Sequence, residues 1–201
     1  GFAIGGEKTA SGNAMLLINP HTSFFFRGES HVVSEEGLDA YGATTWGQFF
    51  IYQGFNEKTG WMHTSTGTDI IDEFTETIVK SDAGIQYQYG KELLPVDSVK
   101  VSLDYTTDKG ISSKDFTMYR THHGPITHAE GEKWVATALM WSPIKALEQS
   151  FTRTKNSNHD EFYKMMDIRT NSSNNTVYAD ADGTIAYYHG NFIPKRNEKF
   201  D

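Results

Sequence analysis

Alternating apolar and polar positions dominate the middle of the chain. The alternation is clearest in four segments, Thr75–Val79, Gln86–Tyr89, Ser98–Leu103 and Asp115–Tyr119. A period of two residues is typical of strands with one solvated face. Turn-forming sequences follow several of them, at Asp82-Ala83-Gly84, Gly90-Lys91 and Asp108-Lys109-Gly110. This part of the chain is therefore predicted to form antiparallel strands.

The two ends of the chain add further strands and two helices. The run Ala14–Ile18 is apolar on both faces, which predicts a strand buried in a layered structure, ending at Asn19-Pro20-His21. Apolar residues at 3–4 spacing predict helices over His159–Ile168, with Asn158 as N-cap, and over Ala146–Arg153. Strands at 176–180 and 184–188 follow, joined by Asp182-Gly183. The predicted class is α+β, sheet-dominated, with residues 1–201 as a single domain.

The segment from Thr22 to Tyr52 is rich in aromatic residues and is interpreted in two ways. Three consecutive phenylalanines cannot all face one side of a strand, so at least one lines another surface. Either both faces of the sheet are covered, or some rings form an apolar ligand pocket. The pocket candidates are Phe24, Phe25, Phe26, Trp46 and Phe50.

Composition and charge exclude several classes of protein. A net charge of −8 argues against nucleic acid and anionic membranes as partners. The chain has no cysteine, which removes disulfides, thiol nucleophiles and thiolate zinc sites. No apolar run reaches the roughly 18 residues of a transmembrane helix, so membrane insertion is not expected. The chain begins Gly1-Phe2 rather than with Met or a signal peptide, so we expect an excised or processed fragment.

The stretch from Trp61 to Asp72 has features of a ligand-binding loop. Its small and hydroxylated residues let the backbone approach a ligand, so that N–H groups can point at developing negative charge. Asp69 and Asp72 flank an apolar pair and can offer oxygens to a hard cation such as Ca²⁺. The pattern also fits a polar connection between strands, and spacing alone does not separate the two interpretations.

Other catalytic and metal-binding patterns are weak. No two of the eight histidines have the i, i+4 spacing of a zinc protease motif. His122 and His123 are adjacent, and neighbouring side chains on an extended segment point apart, so a histidine-rich metal site is not favoured. No serine lies in a Gly-x-Ser-x-Gly elbow, which leaves a Ser-His-Asp triad without support.

Several separated segments together resemble the start of the β-subunit of penicillin acylase-type N-terminal nucleophile hydrolases, which include acyl-homoserine-lactone acylases. The segments keep the family's order over nearly the whole chain: Gly12 to His21, Gly54 to Thr64, Asp69 to Asp72, Arg120 to Pro125, Asn175 to Asp180, Gly183, Tyr187, Gly190, Pro194 and Arg196. The resemblance implies part of a four-layer αββα sandwich. It also implies an amide hydrolase that removes an acyl group from an amine, such as a penicillin or an N-acyl-homoserine lactone.

The resemblance also implies residue roles. The nucleophile would be an N-terminal serine, exposed by autocatalytic cleavage and lying two positions before Gly1, so we expect this polypeptide alone to be inactive. His21 matches a side chain that hydrogen-bonds near the nucleophile and leaving group. Ser65 and Asn175 match the backbone N–H and the side-chain amide of an oxyanion hole. Arg196 matches an arginine that orients the asparagine and substrate, although a surface charge in a polar tail fits it as well.

Calcium and partner subunits are implied in the same way. Asp69, the Ile71 carbonyl and Asp72 match a structural Ca²⁺ site of some family members, and no organic cofactor is expected. The expected partners are an acylase α-subunit, the remainder of the β-subunit and a small acyl-amide substrate, in a bacterial periplasmic or secreted setting. Two alternatives are a non-catalytic ligand-binding domain that retains the fold, and a secreted β-rich adhesion domain.

Overall fold

Antiparallel strands form most of the chain in the computed structural model, which describes residues 1–189 and 192–200. In chain order the strands are β1 (Phe2–Ile4), β2 (Met15–Leu17), β3 (Arg27–Ser34), β4 (Leu38–Thr45), β5 (Gln53–Asn56), β6 (Thr59–Ser65), β7 (Asp72–Ser81), β8 (Gly84–Tyr89), β9 (Glu92–Pro95), β10 (Asp97–Thr107), β11 (Gly110–Arg120), β12 (Ile126–Glu130), β13 (Lys133–Ala138), β14 (Asn174–Asp180) and β15 (Ile185–Tyr188). The helices are α1 (Pro143–Arg153) and α2 (His159–Met166). The sheet-dominated α+β class predicted from the sequence is confirmed.

The described residues form two compact units, 1–70 with 142–201 and 71–141. The single domain expected over 1–201 stays a prediction. Gly190, which contributes to the family resemblance, lies outside the described residues. Among the residues described, no helix is both long and apolar enough to cross a membrane.

A six-stranded antiparallel sheet organises the first unit, in the order β15-β14-β6-β5-β4-β3. Along β6 and β14, alternate residues point to opposite faces, so Trp61 and Tyr178 share one face while Met62 and Val177 share the other. Trp61 and Tyr178 are fully buried and lie in the core with Phe162, Met165 and Met166 of α2. Helices therefore cover one face of this sheet.

The local sequence explains where both helices begin. Asn158 caps α2, since its side-chain oxygen accepts a hydrogen bond from the Glu161 N–H at 3.0 Å. Pro143 opens α1, where its missing N–H and fixed φ cost nothing. The structure extends the predicted Ala146 start of α1 back to Pro143 and ends α2 at Met166, two residues before the predicted Ile168.

The ribbon formed by β1 and β2 lies on the other face of the same sheet. Gly60 faces Leu16: a Cβ built on Gly60 would lie 2.8 Å from a Leu16 methyl group. The sequence predicts that the strand within Ala14–Ile18 is buried on both faces, and this is wrong for the described chain. Met15 and Leu17 are 56% and 53% exposed, because the ribbon has two strands and only one of its faces packs on the sheet.

The second unit combines a five-stranded sheet, in the order β12-β13-β7-β8-β9, with a separate hairpin of β10 and β11. Its core contains Ile78, Tyr87 and Trp134. The predicted turns connect β7 to β8, β8 to β9 and β10 to β11, and Gly84, Gly90 and Gly110 adopt positive φ there. The alternation along the sequence therefore predicted β7, β8, β10 and β11, and the turn residues predicted these three connections.

The segment after β11 departs from the sequence prediction. Thr121 and Gly124 exchange backbone hydrogen bonds of 3.0 and 3.2 Å, which folds the chain into a tight turn at His122-His123. The two imidazole rings are 3.7 Å apart between centroids, instead of pointing apart as on an extended segment. Gly124 makes the turn possible with a φ of 151°, since a Cβ there would overlap the Thr137 carbonyl oxygen.

Candidate functional site

A cavity of about 310 Å³ opens beside the start of the chain in the first unit. Gly1, His21 and Ser65 all line it. Gly1 is held closely, because a Cβ built on it would overlap the terminal methyl of Met62 and lie 2.5 Å from the Leu17 carbonyl oxygen. The fold thus brings the beginning of the chain to the end of β6.

Ser65, the last residue of β6, presents its backbone N–H away from β14. Ser65 is paired with Asn174, and the next N–H, of Thr66, donates to the Ser173 carbonyl at 3.1 Å. Hydrogen-bonded and non-hydrogen-bonded pairs alternate in antiparallel ladders, so the Ser65 N–H points to the opposite side of its strand. On that side β5 pairs with β6 only at Gly60 and Trp61. The Ser65 N–H therefore lies on a stretch of strand edge that β5 does not cover.

Asn175 and Asn174 lie side by side on β14 and face opposite ways. Asn175 pairs with Thr64, which puts it on the same face as Met62, the residue that contacts Gly1. It is buried, and its side-chain oxygen is 2.6 Å from His189 Nδ1. Asn174 lines the cavity and donates a 2.9 Å hydrogen bond to the Tyr52 hydroxyl. The two neighbours therefore provide amides on two different faces.

His21 and Arg196 occupy different surroundings. His21 is exposed and follows β2 at the cavity, as its place after Asn19-Pro20 predicts. Arg196 lies against Asp69: its Nη2 donates to the Asp69 carbonyl oxygen at 3.2 Å and is 3.3 Å from the Asp69 carboxylate. Arg196 makes a further contact within the protein.

A buried network at the cavity, which His63 lines, has no signal in the sequence. His63 Nε2 is 2.7 Å from Arg153 Nη1, and His63 Nδ1 is 2.9 Å from the Thr176 hydroxyl. An arginine can only donate, so Nε2 accepts, and the ring proton on Nδ1 is donated to Thr176. His63 and Arg153 are 5% and 3% exposed. The network ties the end of β6 to β14 and to the last residue of α1.

Positive charge dominates this network. Burial first, and then the charges of Arg153 and Arg27, hold the pKa of His63 well below its ordinary value. Burial lowers the pKa of Arg153 to about 10, so its guanidinium is still charged at neutral pH. Arg27 lines the cavity and lies over the Tyr52 ring at 4.8 Å, and its Nε and Nη1 have no hydrogen-bond partner among the described residues. The cavity is therefore suited to a partial negative charge.

The aromatic candidates do not gather at this cavity. Phe24, Phe25 and Trp46 are 86%, 72% and 61% exposed and form an edge-to-face row, with centroids 5.1 and 6.2 Å apart. Phe26 is 45% exposed, whereas Phe50 is buried. No member of this set is among the described residues that line the cavity. Their role in an acyl pocket stays a prediction.

The three predicted calcium ligands lie at the junction between the two units along the chain. Asp69 belongs to the first unit, and Ile71 and Asp72 begin the second. The Asp69 carboxylate is 77% exposed and paired with Arg196, while Asp72 makes a contact of its own within the protein. Calcium binding at these residues stays a prediction.

Comparison with known proteins gives consistent matches. The family model described as penicillin amidase matches residues 1–200. The acyl-homoserine lactone acylase PvdQ of Pseudomonas syringae pv. syringae is 26% identical over 208 residues, which cover 96% of this chain. PvdQ of Pseudomonas putida is 27% identical over 146 residues, covering 68% of this chain. The chain spans 26% and 18% of the lengths of these two relatives.

A solved structure supports the same fold. The thermostable penicillin G acylase from Alcaligenes faecalis superposes with a TM-score of 0.78. The match covers 99% of this chain and 36% of that one, at 21% sequence identity. At this identity the likeness establishes the architecture, and residue roles must be argued from the site itself.

Proposed function

Because this chain belongs to the penicillin amidase family, we propose that it forms the nucleophile-bearing part of an acylase that hydrolyses the amide bond between an acyl group and an amine. One observation carries the proposal. Gly1 lies beside Met62 at a cavity that Ser65 also lines, and the Ser65 N–H is directed to the uncovered edge of β6. A serine two positions before Gly1, in a longer chain, is close enough to reach this cavity.

In the proposed reaction the serine attacks the substrate carbonyl. Its oxygen forms a bond to the carbonyl carbon, and its own α-amino group takes the hydroxyl proton. An α-amino group with a pKa near 8 is partly neutral at working pH and can act as this base. The carbon–nitrogen bond then breaks, the leaving amine takes the proton, and an acyl-serine ester remains. Water hydrolyses that ester and releases the acid.

The oxyanion of the tetrahedral intermediate needs two donors. We assign one to the Ser65 N–H, on the grounds of its direction on the strand edge, and the other to the side-chain amide of Asn175. Asn175 shares a sheet face with Met62, and Met62 contacts Gly1. The bond between the Asn175 oxygen and His189 Nδ1 identifies the NH₂ group as the donor end of the amide.

The remaining residues are assigned roles from where they lie in the structure and from the family resemblance. His21 lines the cavity and is assigned to hydrogen-bond near the nucleophile and leaving group. Arg196 is assigned to orient Asn175 and substrate, and its contact with Asp69 keeps the guanidinium in one place. Phe24, Phe25, Phe26, Trp46 and Phe50 are assigned to the acyl group. An α-subunit and the rest of the β-subunit would cover the exposed rings, in a periplasmic or secreted enzyme.

We include a calcium site because the donor atoms have the right chemistry for this ion. Two carboxylates, of Asp69 and Asp72, and the Ile71 carbonyl are oxygen ligands of the kind that Ca²⁺ prefers. A bound cation would supply structural stabilisation and no chemical step. Chelation with EGTA should lower the melting temperature of the intact protein, and Asp72→Asn should remove that sensitivity. An EGTA-insensitive wild-type melting temperature would exclude the site.

Autoprocessing is the decisive test of the mechanism. We expect N-terminal sequencing and intact mass of the protein from its host to give a chain beginning Ser-Asn-Gly-Phe, with a separate smaller subunit. Replacement of that serine by alanine should leave the precursor uncut. A chain that runs uncut through this point, or that has neither Ser, Thr nor Cys there, would support a non-catalytic binding domain instead.

The substrate class needs a separate assay. The processed protein should release free amine from acyl amides, and N-acyl-homoserine lactones and penicillin G are the two probes to compare. Release of homoserine lactone with retention of the intact lactone ring would establish amide cleavage. Opening of the lactone ring without acid release would contradict the proposed reaction.

A further inference from the structure

The second unit contains a cluster of potential metal ligands that the acyl-transfer mechanism does not use. Glu76 of β7 and His122 and His123 of the turn after β11 can each offer one ligand atom, with all three atoms within 4.8 Å of one another. Glu76 is only 4% exposed. Its carboxylate accepts hydrogen bonds of 2.8 Å from the Thr121 hydroxyl and from His123 Nδ1. A single buried carboxylate thus lies beside two imidazoles.

Both histidines make their hydrogen bonds through Nδ1. A carboxylate can only accept, so His123 donates its Nδ1 proton to Glu76 in the metal-free protein, and a metal held by both residues would replace that proton. His122 Nδ1 is 2.7 Å from the Tyr87 hydroxyl, which occupies the same nitrogen of the second ring. Neither Nε2 has a hydrogen-bond partner among the described residues. His122 can therefore offer Nε2 while the Tyr87 hydroxyl orients its ring.

Aromatic rings fix both imidazoles in place. Phe74 stacks on His123 with a centroid distance of 3.9 Å and an interplanar angle of 4°. Tyr87 stacks on His122 at 5.6 Å, and Tyr89 meets the same ring edge-on at 4.6 Å. Because these contacts restrict the rotation of both rings, ligand binding costs less further side-chain entropy.

A cavity gives access to this cluster. It has a volume of about 390 Å³ and is lined by both histidines and by Tyr87, together with the apolar side chains of Leu139 and Trp141. Its charged lining residues, Asp97 and Arg120, are paired with each other at 3.1 Å. Among the described residues, the lining thus holds no unpaired positive charge that would repel a cation.

We propose that Glu76, His122 and His123 form a binding site for a divalent first-row transition metal, with Zn²⁺ as the best fit, in which the metal replaces the proton between Glu76 and His123 Nδ1 and keeps an open coordination position facing the cavity. Two imidazoles and one carboxylate are a donor set that binds Zn²⁺ at about 2.0–2.2 Å. Ligand atoms of a tetrahedral zinc lie roughly 3.3 Å apart, so the observed spacing needs a contraction of roughly 1.5 Å at most. Side-chain rotation on the turn can supply this movement. The site lies outside the residues assigned to acyl transfer.

The test is metal binding by the intact protein after removal of bound metal with a chelator. Zn²⁺ affinity is measured by competition with a chromophoric chelator, and Co²⁺ is added as a spectroscopic probe. We expect one zinc per protein at this site, and visible Co²⁺ absorption typical of a low-coordinate nitrogen and oxygen site. His122→Ala and His123→Ala should each weaken Zn²⁺ binding at least tenfold. Tyr87→Phe should weaken it less, since it removes only the orienting contact.

The controls separate this site from surface binding and from misfolding. His128→Ala removes an exposed histidine of β12 in the same unit and should leave the zinc affinity unchanged. His122 is itself exposed, so its alanine variant should keep the metal-free melting temperature. If the His122→Ala/His123→Ala double variant binds zinc as tightly as the wild type, the proposal is overturned. The same conclusion follows if Co²⁺ spectra of the wild type and the double variant coincide.

Discussion

The two units of this chain each bury a charge beside a histidine, and the charges have opposite signs. In the first unit Arg153 donates to His63, whose other nitrogen donates to Thr176. In the second unit the Glu76 carboxylate accepts from His123, whose other nitrogen has no partner in the described part of the chain. A histidine with both nitrogens engaged is confined to a structural role. One that shares a proton with a carboxylate at a cavity can exchange that proton for a metal.

The surroundings of the two histidines follow from how each unit covers its sheet. Both described helices belong to the first unit, where α2 seals one face of the six-stranded sheet with Phe162, Met165 and Met166. Its charged pair is therefore buried, with His63 lining the cavity. In the second unit the core is smaller, and a turn rather than a helix brings His122 and His123 to the surface of the cavity. We therefore expect acyl transfer to depend on the first unit and metal binding on the second.

The largest expected effect concerns the oxyanion hole of the first unit. Asn175→Ala removes the proposed side-chain donor and should lower kcat by about 10²–10³ with a small change in KM, because the lost bond forms in the transition state. Asn174→Ala is the matched control, since its amide is bonded to Tyr52 on the other face, and its loss should be less than about tenfold. Steady-state kinetics on an acyl amide measures both. If Asn174→Ala loses more kcat than Asn175→Ala, the oxyanion role belongs to Asn174.

The two asparagines also illustrate how much of the structure can be predicted from the sequence alone. Local patterns predicted the helix capped by Asn158, the hairpins with glycine at positive φ, and the place of His21 after a strand. Each of these depends on residues within a few positions of one another. The resemblance added the family, which the match over residues 1–200 confirms.

Contacts between residues far apart in the chain could not be predicted from local sequence patterns. His63 and Arg153 are 90 positions apart, and nothing in either neighbourhood indicates a buried pair. Glu76 and His123 are 47 positions apart, and the alternation rule wrongly separated the two histidine rings because it assumed an extended segment. Arg196 and Asp69, 127 positions apart, meet through the same kind of long-range folding. Pairing of polar groups in a core is set by the whole topology, so local spacing cannot reveal it.

A smaller effect tests the turn on which the second unit depends. Gly124→Ala should lower the free energy of unfolding by about 2–3 kcal/mol, since its Cβ would overlap the Thr137 carbonyl and its φ of 151° is unfavourable for alanine. Gly131→Ala is the matched control in the same unit, with φ at 60° and open space around the new Cβ, and should cost about 1 kcal/mol. Denaturant unfolding gives both values. Equal losses of unfolding free energy in the two variants would show that the turn at Gly124 can adjust to accommodate the new Cβ.

The smallest expected effect is the pH dependence that the buried cation gives to the first unit. The pKa of His63 is held well below its ordinary value by burial and by Arg153, so the folded chain leaves it neutral where the unfolded chain binds a proton. Below pH 6.5 the unfolding free energy should therefore fall, by at most about 1.4 kcal/mol per pH unit, until the folded pKa is reached.

The glutamine of His63→Gln can still accept from Arg153 and donate to Thr176 but cannot titrate. The difference in unfolding free energy between this variant and the wild type should therefore be constant above pH 7.5 and change progressively below pH 6.5. Tyr52→Phe keeps the ring 4.9 Å from His63 and should retain the wild-type slope. Parallel pH profiles for wild type and His63→Gln would mean that His63 titrates alike in the folded and unfolded chains, and the contrast between His63 and His123 would not hold.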